Sequence, residues 1–371
     1  MNSEERKAAR RARREAERAA KRAERIEGCT LEAVADLDNL YHAARRARAG
    51  VSWKASVQRY QIDILRNCVK ARQDLLDGRD IRRGCHQFDV CERGKVRHIS
   101  SVNFGERPIH KSLTVNALVP ALSPTFVHDN SANSKGKGTD FAIRRMKEQL
   151  ARHYRLHGSE GYILLVDFSN YFGSIDHTAA KAVVETALDD ERIISLVASL
   201  VDESDDPGLG LGSEPNQVIA VALPSRIDHF AAEMGGMEAC GRYMDDSYFI
   251  HTDKLWLQAF LEAMRWRCAE IGLTVNDRKT RIVKLSRGFV FLKKHFSYGE
   301  NGKIVVRPCR SSITRERRKL KKQKRLVDAG EMTMDQVAQS YQSWRGSMKR
   351  LDAHRTVLEM DRLYRCLFSP S

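Results

Sequence analysis

Two groups of carboxylates stand where carboxylates are out of place. The first is Asp245-Asp246, within Gly241-Arg-Tyr-Met-Asp-Asp-Ser-Tyr-Phe-Ile250. Tyr243, Tyr248, Phe249 and Ile250 favour strands, whereas Asp prefers turns. A two-stranded hairpin with Met244–Asp246 at its tip reconciles them. Two like charges at one tip are tolerable in water, and useful when a cation sits between them and another acid. The second is Asp167, which ends the apolar run Tyr162-Ile-Leu-Leu-Val166, read as a buried strand. An isolated Asp-Asp is ordinarily a solvated turn, and a lone Asp at a strand end is ordinarily a cap. If the two strands are neighbours in one sheet, the three acids meet on one edge. Such a set holds two Mg²⁺ ions and supports in-line displacement at phosphorus. Mg²⁺ takes oxygen ligands and keeps some waters, so few protein carboxylates suffice.

The elements that must position these acids follow from the patterning. Residues 27–90 read as helical, 88–102 as strand-rich, and 109–120 and 139–157 as helical again. Residues 176–201 are helical and Asp202–Gly212 is an acidic, Gly-rich loop. A helix over 216–233 precedes the hairpin, and an amphipathic helix over 255–271 follows it. Residues 280–307 hold further strands with a turn at Gly299–Gly302. From Ser312 the chain is helical and at first strongly basic. This order, without a βαβ repeat, predicts an α+β fold. It divides the chain into a basic arm (1–26), a helical region (27–90), a mixed core (91–300) and a basic helical tail (301–371).

The chain has 371 residues, of which 42% are hydrophobic, and a formal net charge of +16. That balance points to a polyanion as partner, nucleic acid before membrane. No apolar run is long enough to span a bilayer, and the start has no signal-peptide apolar segment. The eight cysteines form no CxxC pair and no Cys/His zinc-finger spacing. Neither a disulfide framework nor a structural zinc is expected, and free thiols suit a reducing cytosol. Residues 1–26 favour a helix but offer no apolar stripe to bury. They read either as a solvated, frayed arm or as a basic arm along phosphates. Ten Lys and Arg fall between Arg307 and Arg325, opposed only by Glu316. Trp344 reads as a core residue of the tail, with base stacking as the alternative.

Tyr243-Met-Asp-Asp246 resembles motif C of reverse transcriptases, and Val166-Asp-Phe-Ser-Asn-Tyr-Phe-Gly-Ser-Ile-Asp-His177 resembles their motif A. Other blocks follow in family order over about residues 90–300. Arg97 and Glu106-Arg107-Pro-Ile-His-Lys111 resemble the fingers motifs. Asp129-Asn-Ser-Ala-Asn-Ser-Lys-Gly-Lys-Gly138 resembles the next block of the bacterial, group II intron-like branch. Gly212-Ser-Glu-Pro-Asn-Gln217 falls at motif B, Gly272–Thr280 at motif D, and Gly288–Lys293 at the primer grip. The resemblance implies a right-hand polymerase fold with fingers, a palm built on an antiparallel sheet, and a helical thumb. It implies an RNA-directed DNA polymerase with two Mg²⁺ ions, for which Mn²⁺ substitutes. Its partners are an RNA template, a DNA or RNA primer, dNTP, and an accessory protein or dedicated structured RNA.

Residue by residue, Asp167, Asp245 and Asp246 are the implied metal ligands, joined by the backbone carbonyl of Phe168. Phe172 matches the ring that excludes a 2′-hydroxyl. Arg97 and Arg107 match triphosphate contacts, and Lys279 a proton donor to pyrophosphate, with an ordinary surface Lys as the alternative. Lys135–Gly138 is a basic loop placed to touch a phosphate backbone. Leu211, Gly212 and Gln217 are the implied nucleotide-site residues of motif B; Leu211 stands where many relatives carry Gln, and that replacement is expected to alter nucleotide selection. That pattern is most like diversity-generating retroelement enzymes. The retron NAxxH signature and the Cys/His cluster of an intron endonuclease are not found, and no room for an RNase H domain is expected. A diversity-generating or phage-defence role is therefore implied. A polymerase scaffold kept only for RNA binding, and a protein-primed or untemplated DNA synthesiser, are the alternatives.

Overall fold

The computed structural model describes residues 3–92 and 95–368; the side chains of Ser3, Glu92, Lys95 and Arg97 are outside that description. Its chain forms two compact units, each made of three separate segments. One unit holds residues 1–138, 168–233 and 262–276, and the other holds 139–167, 234–261 and 277–371.

The first unit is largely helical. The basic arm is a helix over Ser3–Ile26, exposed along nearly all its length. Arg11–Glu15 and Arg13–Glu17 pairs support it one turn apart. Its far end is anchored: Ile26 is buried, and Arg22 donates to Asp189 at 2.7 Å. Strands β1 (Cys85–Glu92) and β2 (Lys95–Val102) form an antiparallel ribbon. The stretch expected as one helix over 176–201 is two, His177–Ala187 and Glu191–Val201. Asp176 and Asp190 cap them, each accepting from a backbone N–H of the first turn, so the break follows from Asp189-Asp190 competing with the helix backbone. The helix expected over 216–233 likewise divides, at Pro224, into Glu214–Ala222 and Ser225–Glu233.

The second unit is built on a four-stranded antiparallel sheet. Its strands are β3 (Tyr162–Val166), β4 (Ala239–Tyr243), β5 (Asp246–His251) and β6 (Arg281–Lys284), in the order β4-β5-β3-β6. Ile163 to Val166 are all buried, one after another, as expected for a central strand covered on both faces. Ile163 and Leu165 share a cluster with Met146 and Leu150 of the helix Thr139–His157, with Tyr248 and Ile250 of β5, and with Phe291 and Phe296. Those phenylalanines belong to a three-stranded sheet of β7 (Phe289–Phe291), β8 (Lys294–Tyr298) and β9 (Ile304–Pro308). The mixed α and β content with antiparallel sheets agrees with the α+β expectation.

The C-terminal helices Arg310–Asp328, Met334–Met348 and His354–Phe368 complete this unit. Leu320, Tyr341 and Met360 form their shared core. Trp344 packs against that core and stacks on Tyr341 at 5.6 Å between ring centroids. Glu316, the acid expected to oppose the basic run, is itself buried. It therefore leaves the outer face of the helix Arg310–Asp328 to Lys and Arg, with Arg317 paired to Glu359 and Lys324 to Asp328. No helix among the described residues is long and apolar enough to cross a membrane. Nor does any disulfide join two of the cysteines there.

Candidate metal and nucleotide site

The register of the four-stranded sheet assembles the acids. Strands β3 and β5 run antiparallel with Val166 opposite Ser247. One step further along each strand puts Asp167 beside Asp246. Strands β4 and β5 pair up to Tyr243 opposite Asp246, so Met244 and Asp245 alone make the connection. Met244 has φ of 56°, a left-handed conformation that costs a non-glycine residue roughly 1 kcal/mol or more. Arg242 helps to hold it. Its side chain is buried, and its guanidinium donates to the Met244 carbonyl at 3.2 Å. The sequence reading did not single out Arg242; a charged residue alternating inward on a strand is the signal available for it.

Strand β6 brings the fourth group. It pairs with β3, Leu165 opposite Arg281, which carries the preceding residues to the same end. Thr280 accepts from the Asp167 backbone N–H, and the Lys279 ammonium forms a short ion pair with the Asp167 carboxylate. Lys279 is thus a member of the acid cluster rather than a free surface lysine. Asp246 carries the cost of the arrangement. Burial, then the neighbouring charges of Asp245 and Asp167, push its carboxyl up to about 6, with Lys279 pulling the other way. The like charges of Asp167, Asp245 and Asp246 crowd one another, and a divalent cation relieves that crowding. The donor set, all oxygen, fits Mg²⁺ or Mn²⁺.

The remaining candidates lie in the first unit. Phe168 is buried, and its backbone bridges to Val275. Phe172 opens a single 3₁₀ turn, Phe172–Ser174, and is only partly buried, while Tyr171 beside it is buried and donates to the Ala220 carbonyl. Leu211 accepts from the Ser100 N–H at 3.1 Å, which lays Leu211-Gly212 along β2. At Gly212 φ is 127°, and a Cβ would lie 2.5 Å from the Ser100 carbonyl oxygen, so only glycine fits. Gln217 is half-buried on the helix Glu214–Ala222. Arg97 lies on β2 opposite Val90, with its side chain outside the described residues. Arg107 donates to Ser101 Oγ at 3.0 Å and lines a cleft of about 200 Å³ with Lys54, His86 and Phe104. Lys137, expected to reach toward phosphates, instead donates to the backbone carbonyls of His128 and Asn130. These contacts close its own loop and leave Lys135 as the exposed cation there.

Glu106 precedes Arg107 and is fully buried. One carboxylate oxygen accepts from the Arg83 N–H at 2.8 Å, and the other has no hydrogen-bond partner. Burial pushes this carboxyl up to about 7. A folded-state value above the unfolded one gives stability that is present in acid and lost as pH rises toward 7. Glu106→Gln keeps the acceptor for Arg83 and removes the charge. Its melting temperature should exceed that of the wild type above neutrality and match it below about pH 4; equal melting at alkaline pH would contradict this.

No protein-family model matches the chain, and no curated protein does. Distant similarity exists among solved structures. Apo telomerase from Candida tropicalis, truncated from its C-terminal domain, aligns with TM-score 0.45 and 14% identity over 60% of this chain and 54% of that one. Telomerase from Candida albicans in complex with a TWJ fragment of telomeric RNA aligns with TM-score 0.45 and 10% identity, over 60% and 46%. The chain spans about half the length of these structures.

Proposed function

We propose that this chain is an RNA-directed DNA polymerase with a fingers, palm and thumb arrangement, extending a primer with dNTPs on an RNA template. The observation that carries the reading is the strand register that puts Asp167 beside Asp246, one residue from Asp245. The order of the motif-like blocks along the chain supports it. Asp167, Asp245 and Asp246, with the Phe168 carbonyl, would hold two Mg²⁺ ions. When bound, such ions activate the primer 3′-hydroxyl and stabilise charge on the triphosphate and leaving pyrophosphate. The protein's share is to hold the acids in place, through the turn braced by Arg242 and the β3–β6 pairing. Arg97 and Arg107 would bind triphosphate oxygens, and Phe172 would press against the sugar.

Lys279 has two tasks in this reading. Its ammonium balances Asp167 in the metal-free protein, and during turnover it would give a proton to pyrophosphate. Lys279→Ala should therefore raise the affinity for Mg²⁺, because a competing cation is gone, while lowering the maximal rate by about 10- to 100-fold. Single-turnover extension across a Mg²⁺ titration reads both quantities. Loss of rate with unchanged Mg²⁺ affinity would remove the balancing role.

The basic outer face of the helix Arg310–Asp328 suits the backbone of a primer–template duplex, which is bound by shape and charge rather than by base edges. A diversity-generating or phage-defence setting is the finer form of the proposal and rests on the motif B pattern at Leu211–Gln217. The direct test is extension of a DNA primer on an RNA template with Mg²⁺ and dNTPs. Extension by the wild type and none by an Asp245→Ala/Asp246→Ala variant supports the polymerase. Tight RNA binding without extension, with or without a co-purifying RNA, favours a scaffold kept for binding.

A further inference from the structure

A second cluster of metal-binding groups lies at the other end of β3 from the acids. His153 and His157 sit one turn apart at the end of the helix Thr139–His157, on the same face. Glu238, distant in sequence, immediately precedes β4, and its N–H donates to the Ile250 carbonyl. The three side chains offer one donor atom each within 4.8 Å of one another. Five strand residues separate this group from Asp167, about 16 Å along β3.

The hydrogen bonding around His153 is informative. Its Nε2 lies 2.6 Å from the Glu160 carbonyl oxygen. A carbonyl only accepts, so Nε2 carries the hydrogen. In the neutral ring Nδ1 is then a lone pair, and it faces Glu238 Oε2 at 2.6 Å. At that distance a shared proton joins the two atoms; two ligand atoms on one tetrahedral zinc ion lie roughly 3.3 Å apart, so an ion entering here displaces the proton and spreads the pair by roughly 0.7 Å. His157 Nε2 is 3.6 Å from the same Oε2, beyond a hydrogen bond but close to the spacing of two ligand atoms on one tetrahedral zinc ion. The surroundings orient these groups toward one another. Glu238 Oε1 accepts from the Thr252 N–H at 3.0 Å, leaving Oε2 to face the histidines. Donation of the distal ring nitrogen to a backbone carbonyl is the usual way a ligating histidine is oriented. Gly161 makes room for the ring, since a Cβ there would come within 2.8 Å of His153 Nε2.

We propose that His153 Nδ1, His157 Nε2 and Glu238 Oε2 form a site for a borderline divalent transition ion, Zn²⁺ foremost, with water in the fourth position. Two imidazoles and one carboxylate favour Zn²⁺ over Mg²⁺, so the site is chemically separate from the all-oxygen acid cluster. His157 is exposed and leaves a path for the ion. Binding ties the end of the helix Thr139–His157 to the strand that leads into the Met244 turn. The proposal does not depend on the polymerase reading.

The test uses the full chain, stripped with chelator, given Zn²⁺ in the presence of excess Mg²⁺, and separated from free ion by gel filtration. About one Zn²⁺ per chain is expected. His157→Ala and Glu238→Gln, each checked for folding by circular dichroism, should weaken retention at least tenfold. Asp245→Asn/Asp246→Asn should leave it unchanged. Co²⁺ in place of Zn²⁺ should give the visible absorption of a tetrahedral site, absent from His157→Ala. Zinc that is not retained, that is indifferent to both histidine-site variants, or that follows the Asp245/Asp246 variant overturns the proposal. In the first case the short contact is a proton-bridged ion pair.

Discussion

Asp246→Asn is expected to reduce primer extension by at least about a thousandfold and yet to stabilise the metal-free protein above neutral pH. The loss of activity is expected from the proposed role of Asp246 as a metal ligand. The gain in stability follows from the same crowding. A carboxyl raised to about 6 costs the ionised folded state on the order of 3 kcal/mol relative to an ordinary aspartate. The direction is that of a raised folded-state value. The favourable contribution is complete below about pH 4 and disappears as pH rises through about 6. Wild type and variant should therefore melt alike below about pH 4, diverge as pH rises from about 4 to 6, and stay apart above that, with the variant higher. Mg²⁺ should raise the wild-type melting temperature above pH 6 and have little effect well below it, because protons compete for the same oxygens. Thermal melts of both proteins across pH, with and without Mg²⁺, decide the matter. A variant less stable than wild type at alkaline pH, or one that still extends primers, would sink the assignment of Asp246.

Phe172→Ala is expected to admit ribonucleotides, lowering discrimination against rNTP by roughly 100-fold, or about 2.7 kcal/mol. Phe168 and Tyr171 are buried and stacked on each other, whereas Phe172 meets Tyr171 edge-on and stays partly exposed. The core around this turn is filled without it. Truncation at Phe172 should therefore cost much less stability than the roughly 3–5 kcal/mol typical of a buried Phe. Competing dNTP and rNTP incorporation, measured beside a melting curve, separates the two roles. Unchanged discrimination with a large drop in melting temperature would make Phe172 a packing residue.

Much of the acid cluster was legible along the chain because two local conflicts marked it. Asp-Asp interrupts a strand-forming run, and Asp167 ends an apolar one; in both, local preference and position disagree. The strand over Tyr162–Val166 and the hairpin after it were readable for the same reason. Helix breaks at Asp189-Asp190 and at Pro224 carry local signals too, in capping and in proline geometry, although the apolar pattern runs through both.

What the tertiary structure decided are the pairings between distant segments. Sequence alone determined that three acids lie at strand ends, that the chain is strongly basic, and that its sheets belong to an α+β class. It did not determine that β3 lies between β5 and β6, and that pairing is what brings Lys279 onto Asp167. Nor did it show that Lys137 turns back on its own loop, that Glu316 is buried under the basic helix, or that Glu238 meets His153 and His157. These depend on hydrogen-bond register and on which face a side chain presents. A single-residue slip in strand register would undo the pairing of β3 with β5 and β6 while leaving composition and periodicity untouched.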